Sequence, residues 1–288
     1  MQLGVVFPQT EIGSDPTAIR DYAQAVEGAG YEHLLAYDHV LGAERDRPGG
    51  FTGPYDHETL FHEPLTLFGY LAGLTERIEL VTGIVILPQR QTVLVAKQAS
   101  QLQVLSGGRL RLGVGVGWNS VEFEGLNENF RNRGRRIEEQ IALLRALWAR
   151  PVISFEGNWH RVTKAGINPL PPDGTIPIWM GGMSKVVVER TGRLADGWFP
   201  QVRDPGDLAS AIEPMHRAAR AAGRDPAEIG VESRVTVTSP TMAAEAAELA
   251  RQFEEAGATH ISVNTMGGGF TTTAQHIAAT RSFIEAYS

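Results

Sequence analysis

Cysteine is absent from all 288 residues. Disulfides, thiolate nucleophiles and thiolate metal sites are therefore excluded by count, and the lack of thiols fits a reducing cytosol. Excess positive charge is also missing: 26 Lys and Arg stand against 33 Asp and Glu, a net charge of −7. Broad affinity for nucleic acid or an anionic membrane needs an electropositive surface, so neither partner is expected and any anion site must be local. No apolar run approaches the roughly 18 residues of a membrane span. Met1 runs directly into Leu3, Val5, Val6 and Phe7, followed by Glu11 and Asp15, without a basic leader or a cleavable apolar stretch. The expected location is cytoplasmic. Internal repeats, low-complexity tracts and dividing linkers are lacking too, so residues 1–288 are expected to form one domain.

What is present is a soluble globular composition, 42% hydrophobic and 20% charged. Eight short runs rich in Val, Ile and Leu alternate with amphipathic stretches: 3–7, 33–37, 78–87, 110–116, 176–180, 197–199, 229–237 and 260–263. That order marks βα units around a parallel sheet, and continuously apolar runs suit strands covered on both faces. A (β/α)8 TIM barrel follows. Helix punctuation agrees. Ser14, Asp15 and Pro16 open one helix, Ser239 and Pro240 another, and Gly30, Gly107, Gly192, Gly223 and Gly257 sit where helices should stop. Ile137, Ile141, Leu144 and Trp148 fall on one helical face that should pack on the barrel. Two segments interrupt the rhythm. Residues 38–61 make a long Gly/Pro-rich loop, of the kind that is either functional or disordered. Residues 151–175 carry a hairpin before the fifth strand, with arms 153–156 and 159–162 joined at Gly157 and Asn158.

Several residue groups carry chemistry or an ordinary structural alternative. Asp38 and His39 end the second strand, on the rim where barrel loops perform catalysis. The imidazole suits general acid or base work near neutral pH, or simply ties down the loop. The run Gly113, Val114, Gly115, Val116, Gly117, Trp118 ends the fourth strand, and its glycines admit a ligand or a packed neighbour. It is not a dinucleotide fingerprint, because Trp118 occupies the place of the last glycine. Gly181, Gly182 and Ser184 lead into a helix N-terminus, which suits a phosphate or an ordinary capped turn. His57, Glu58 and His62 have the wrong spacing for a zinc-protease motif, and no metal is expected. Arg131, Arg133, Arg135 and Arg136 form either exposed pairs with Glu138 and Glu139 or an anion patch on the rim.

Together the segments LGVVFPQ at the start, YDHV at 37–40, the stretch 63–90, SGGRLRLGVGVGW at 106–118, PIWMGGMS at 177–184 and ADGWFP at 195–200 resemble the luciferase-like monooxygenase superfamily. The likeness is greatest to its F420-dependent oxidoreductases and covers essentially the whole chain. It implies a third-strand bulge with a non-prolyl cis peptide between Gly83 and Ile84, next to Thr82, with Ile84 against a flavin-type ring. It also implies Asp38 and His39 near the reactive edge, Gly115, Val116 and Gly117 beneath the ring, and Met180, Gly181, Gly182 and Ser184 at the cofactor phosphate. His39 is the expected proton carrier. Tyr55, Phe61, Trp118 and Trp198 are candidate substrate walls under a lid of residues 40–61. The implied activity is hydride transfer between coenzyme F420 and a small organic substrate. An FMN-dependent monooxygenase and a cofactor-free ligand-binding barrel are the alternatives. The resemblance further implies a homodimer.

Overall fold

The computed structural model describes residues 1–288. In chain order the elements are β1 (Gln2–Val6), α1 (Pro16–Gly28), β2 (His33–Ala36), α2 (Pro64–Ala72), β3 (Glu79–Thr82), β4 (Val85–Ile86), α3 (Thr92–Leu105), β5 (Leu110–Gly115), α4 (Ser120–Gly125) and α5 (Arg133–Ala149). They continue with β6 (Ile153–Glu156), β7 (Arg161–Ala165), β8 (Ile178–Gly181), α6 (Lys185–Leu194), β9 (Gly197–Phe199), α7 (Pro205–Ala221), β10 (Gly230–Thr236), α8 (Ala243–Glu255), β11 (His260–Asn264) and α9 (Thr273–Tyr287).

All staves pair in parallel in the order β3-β2-β1-β11-β10-β9-β8-β5-β4, and the pairing of β3 with β5 closes the ring. The result is a (β/α)8 barrel whose third stave is split into β3 and β4. Between them lies the cis Gly83–Ile84 peptide, at the expected position. No helix is long and apolar enough to cross a membrane.

Strand phase decides which side chains fill the barrel. On β10 the inward positions are Gly230, Glu232, Arg234 and Thr236, in register with Gly197 on β9 and with His260, Ser262 and Asn264 on β11. Bulk on one stave is matched by glycine on the next. The Trp179 indole occupies the space that a Cβ on Gly197 or Gly230 would need. Outward positions meet the helices in one continuous apolar core that includes Trp148 and Trp198. Ile137, Ile141, Leu144 and Trp148 of α5 are all buried there, as their spacing predicts.

Two local expectations are corrected. Gly192 does not stop a helix but lies inside α6, where a Cβ would strike the Met215 carbonyl and hold α7 away. The hairpin turn is longer than Gly157–Asn158: Glu156 pairs with Arg161, and the second arm begins two residues late. Glu139 on α5 explains this, since its carboxylate accepts hydrogen bonds from the backbone N–H groups of Asn158, Trp159 and His160 at 2.7–2.9 Å. A turn built around a distant carboxylate has no signature in its own residues.

Candidate active site at the barrel mouth

The C-terminal ends of β2, β4, β5 and β8 bring the expected groups to one rim. Asp38 is the joint between two of them. Its buried carboxylate accepts from Ile86 N–H at 3.0 Å and from Arg90 at 2.7 Å, tying the end of β2 to β4. Burial pushes this carboxyl up, and Arg90 works against that rise. Arg90 also bridges to Glu63 at 2.9 Å. With both oxygens engaged and the side chain buried, Asp38 holds the bulge from within instead of facing the mouth, where a cofactor contact was expected.

His39 follows directly and is held by a residue not anticipated. Its Nδ1 lies 3.0 Å from Glu122 Oε1, which also accepts from Val40 N–H at 3.0 Å. The other carboxylate oxygen accepts from Gln89 at 3.0 Å. Burial would raise the Glu122 carboxyl, but the hydrogen bonds from His39, Gln89 and Val40 prevail and hold it below the usual range. An ionised acceptor fixes the proton on Nδ1 and leaves Nε2 as the basic atom, with no partner inside the chain. The ring is walled by Tyr55, Phe61 and Trp118, with centroids 5.0, 4.7 and 5.8 Å away.

Tyr55 and Phe61 come from the loop after β2, which is ordered by its own contacts. Ala43 bridges to Asp56, Arg45 pairs with Asp56 at 2.8 Å, and Arg47 reaches Glu124 on α4 at 2.9 Å. Phe51 stacks on Trp118 with centroids 6.2 Å apart. Between this loop and His39 lies a cavity of about 200 Å3, lined by His39, Tyr55, Asp56, Phe61 and Asn119 among others.

The opposite wall is built from small residues. Ile84 lies over β5 and β8, so that a Cβ on Gly115 would collide with its Cδ1 and one on Gly181 would sit 3.3 Å from its Cγ2. Gly182 has φ 128°, open to glycine and rare for other residues, and turns the chain toward α6. Ser184 caps α6 by position, but its side chain makes no capping bond and the residue is exposed. Its hydroxyl and the first N–H groups of α6 remain uncommitted.

Several expected contacts instead support this wall from behind. Met180 and Trp198 are fully buried in the outer core, and the Trp198 indole donates to Gly182 O at 2.9 Å. Thr82 is fully buried and donates to Gly113 O at 2.8 Å, while Val116 packs against the outer core. All four point away from the mouth because they occupy the outward phase of their strands. Trp198 is therefore not a substrate wall. Two members of the arginine cluster have partners within the chain. Arg136 pairs with Glu128, and Arg133 donates to Gly117 O at 3.2 Å and lies 3.6 Å over the Phe130 ring. Glu138 pairs with Arg190 and Arg193 rather than with this cluster.

Comparison with known proteins agrees with this layout. The luciferase-like monooxygenase family matches residues 1–285. An uncharacterised Mycobacterium tuberculosis protein is 33% identical over 233 residues, 79% of this chain and 80% of its own. An F420-dependent hydroxymycolic acid dehydrogenase of the same organism is 32% identical over 260 residues, 86% of this chain and 66% of the relative. An FMNH2-dependent dimethylsulfone monooxygenase from Pseudomonas fluorescens is 28% identical over 219 residues, 75% and 56% of the two chains. Among solved structures, an F420-dependent secondary alcohol dehydrogenase superposes with a TM-score of 0.80 at 18% identity, covering 100% of this chain and 99% of the other. A match along nearly the whole length, on a barrel with this rim, leads to one conclusion: the chain belongs to the luciferase-like monooxygenase family and is an oxidoreductase.

Proposed function

We propose that the protein is an F420-dependent oxidoreductase that moves a hydride between the deazaflavin and a small organic substrate. The single observation that carries the proton half of this reading is His39, anchored through Nδ1 by an ionised Glu122 with Nε2 left free. Dehydrogenation of an alcohol, or reduction of a carbonyl, requires one proton at the substrate oxygen for each hydride. A fixed imidazole with one basic nitrogen meets that need.

The residues present also fit a flavin-type cofactor. The Ile84, Gly115 and Gly181 wall offers a smooth apolar face, and the uncommitted Ser184 hydroxyl with the α6 N-terminus suits a phosphate. When bound, F420 supplies the two-electron chemistry at its C5. The chain's part is placement, proton handling and exclusion of water. Tyr55, Phe61 and Trp118 perform the exclusion around His39. The cavity beside them is slightly larger than the roughly 150 Å3 that accepts a benzene ring, which favours a small substrate.

The F420-dependent relative supports this cofactor, and the FMNH2-dependent relative supports the second reading, an FMN-dependent monooxygenase on the same wall. Separate titrations with oxidised F420 and FMN, followed by absorbance and fluorescence, discriminate the two. Saturable F420 binding at one per chain is expected. Tight FMN binding with no F420 binding would reverse the order. Self-association is proposed as well, supported by exposed Val93, Leu94, Val104 and Leu105 on α3. Sedimentation should then give a mass of two chains.

A further inference from the structure

Arg234 stands out as the one inward-facing cation of the mouth without an acidic partner. It occupies an inward position on β10, two residues above the buried Glu232. Its guanidinium reaches across the barrel to donate to the phenol of Tyr37, although β11 and β1 separate β10 from β2. Only a side chain crossing the interior can make that contact. Arg234 is nevertheless exposed, so the mouth above it is open.

The carboxylates that face the mouth and barrel interior are already committed. Asp38 and Glu63 pair with Arg90, Glu122 is held by His39 and Gln89, and Glu232 pairs with Arg111 and His33. None forms an ion pair with Arg234. In a chain of net charge −7, a lone guanidinium on an inner wall is an anomaly that packing does not explain. Its neighbour Tyr37 packs with Phe199 and Met266 against Val6, Leu35 and Val81. Phe199 also closes on Gly113 beside Ile84. Arg234 and Tyr37 thus border the wall described above, inside the mouth.

We infer that Arg234, oriented by Tyr37, is an anion-recognition residue in the barrel mouth that takes a planar oxyanion. Guanidinium geometry matches such a group through two parallel N–H donors, and Lys cannot reproduce it. Two sources share this chemistry: the N–C=O edge of a flavin-type ring, whose reduced form carries negative charge there, and a substrate carboxylate. The carboxylate source stands whether or not the mouth takes F420, whereas the ring source rests on the cofactor reading.

The test uses the whole protein with Arg234→Met, Arg234→Lys and Tyr37→Phe, after thermal melts confirm that each folds. Benzoate titrated into the wild-type apoprotein probes the carboxylate source, read by tryptophan fluorescence. Oxidised and reduced F420 and FMN probe the ring source, read by dissociation constant and by the midpoint potential of the bound cofactor. If the anion is a carboxylate, benzoate affinity falls about tenfold in Arg234→Met and partly in Arg234→Lys, with cofactor affinity unchanged. If it is the ring, the reduced cofactor loses about tenfold more affinity than the oxidised one, and the potential moves down. Tyr37→Phe gives a smaller loss of the same kind. Unchanged benzoate and cofactor binding in Arg234→Met would overturn the inference. Wild-type protein that binds benzoate but neither cofactor would refute the cofactor reading while leaving the anion site intact.

Discussion

The floor and the mouth of this barrel are built from the same inward strand positions, yet their charges are treated in opposite ways. At the floor every charge is matched. Arg111 bridges Glu232 at 2.7 Å and Glu79 at 2.8 Å, and Glu232 also accepts from Ser262 and lies 3.2 Å from His33. Arg111 further stacks over Trp179 at 4.3 Å. At the mouth, two polar groups are held on one side and left open on the other: His39 at Nε2, and Arg234 beyond its bond to Tyr37. Closed networks fix a fold, whereas half-satisfied groups become useful only when a ligand completes them. The contrast agrees with the general division of such barrels into a stabilising bottom and a reactive top.

The largest expected effect comes from breaking the floor. Arg111→Ala strands Glu232 and Glu79 as buried or half-buried carboxylates, and should lower unfolding free energy by about 3–5 kcal/mol in urea titrations. A loss below about 1 kcal/mol would mean that the network is dispensable. At the mouth, His39→Ala should cost less stability than Arg111→Ala, about 1–3 kcal/mol for the bond that Glu122 loses, and reduce turnover about 100-fold, within the usual range for a proton-transfer group. Glu122→Gln should reduce it less, because an amide oxygen can still accept from Nδ1 but no longer offsets the positive charge of a protonated ring. Equal turnover in all three proteins would separate His39 from the chemistry.

Gly115→Val tests the wall between these regions. The new side chain must displace Ile84, so about 1–3 kcal/mol of stability should be lost together with cofactor affinity. Retained affinity would show that Ile84 does not face the ligand. The mildest break uses acid. Burial, with Arg111 and His33 nearby, lowers the His260 pKa to about 3, so the unfolded chain binds that proton before the folded one. Stability should therefore be lost as pH falls from about 6.5 toward about 3. Glu232 is raised by burial but lowered further by His33 and Arg111, and its net depression adds a loss of the same sign below about 4.5. His260→Gln should flatten the upper part of that slope in unfolding measurements at stepped pH.

Apolar runs and their spacing made the eight staves, the hairpin and the α5 face legible in the sequence, because burial demands them locally. Resemblance located the split third stave and the rim glycines. Three kinds of information were hidden. Continuous apolar strands carry no phase, so Met180 and Trp198 could not be told from inward residues. Long-range partners have no local mark: Glu122 is 83 positions from His39, and Arg234 is 197 from Tyr37. Charge placement did leave one trace. Glu232, Arg234 and Thr236 alternate with Val231, Val235 and Val237 in the run 229–237, broken only by Ser233, a pattern that betrays a polar inward face.

Hydrogen–deuterium exchange with and without F420 bears most directly on the division between floor and mouth. Slower exchange on binding should be confined to residues 37–61, 83–86, 115–118, 181–188 and 234–236, while the starts of β1, β2, β10 and β11 remain as in the free protein. Protection at those strand starts, with none at the rim, would contradict the account.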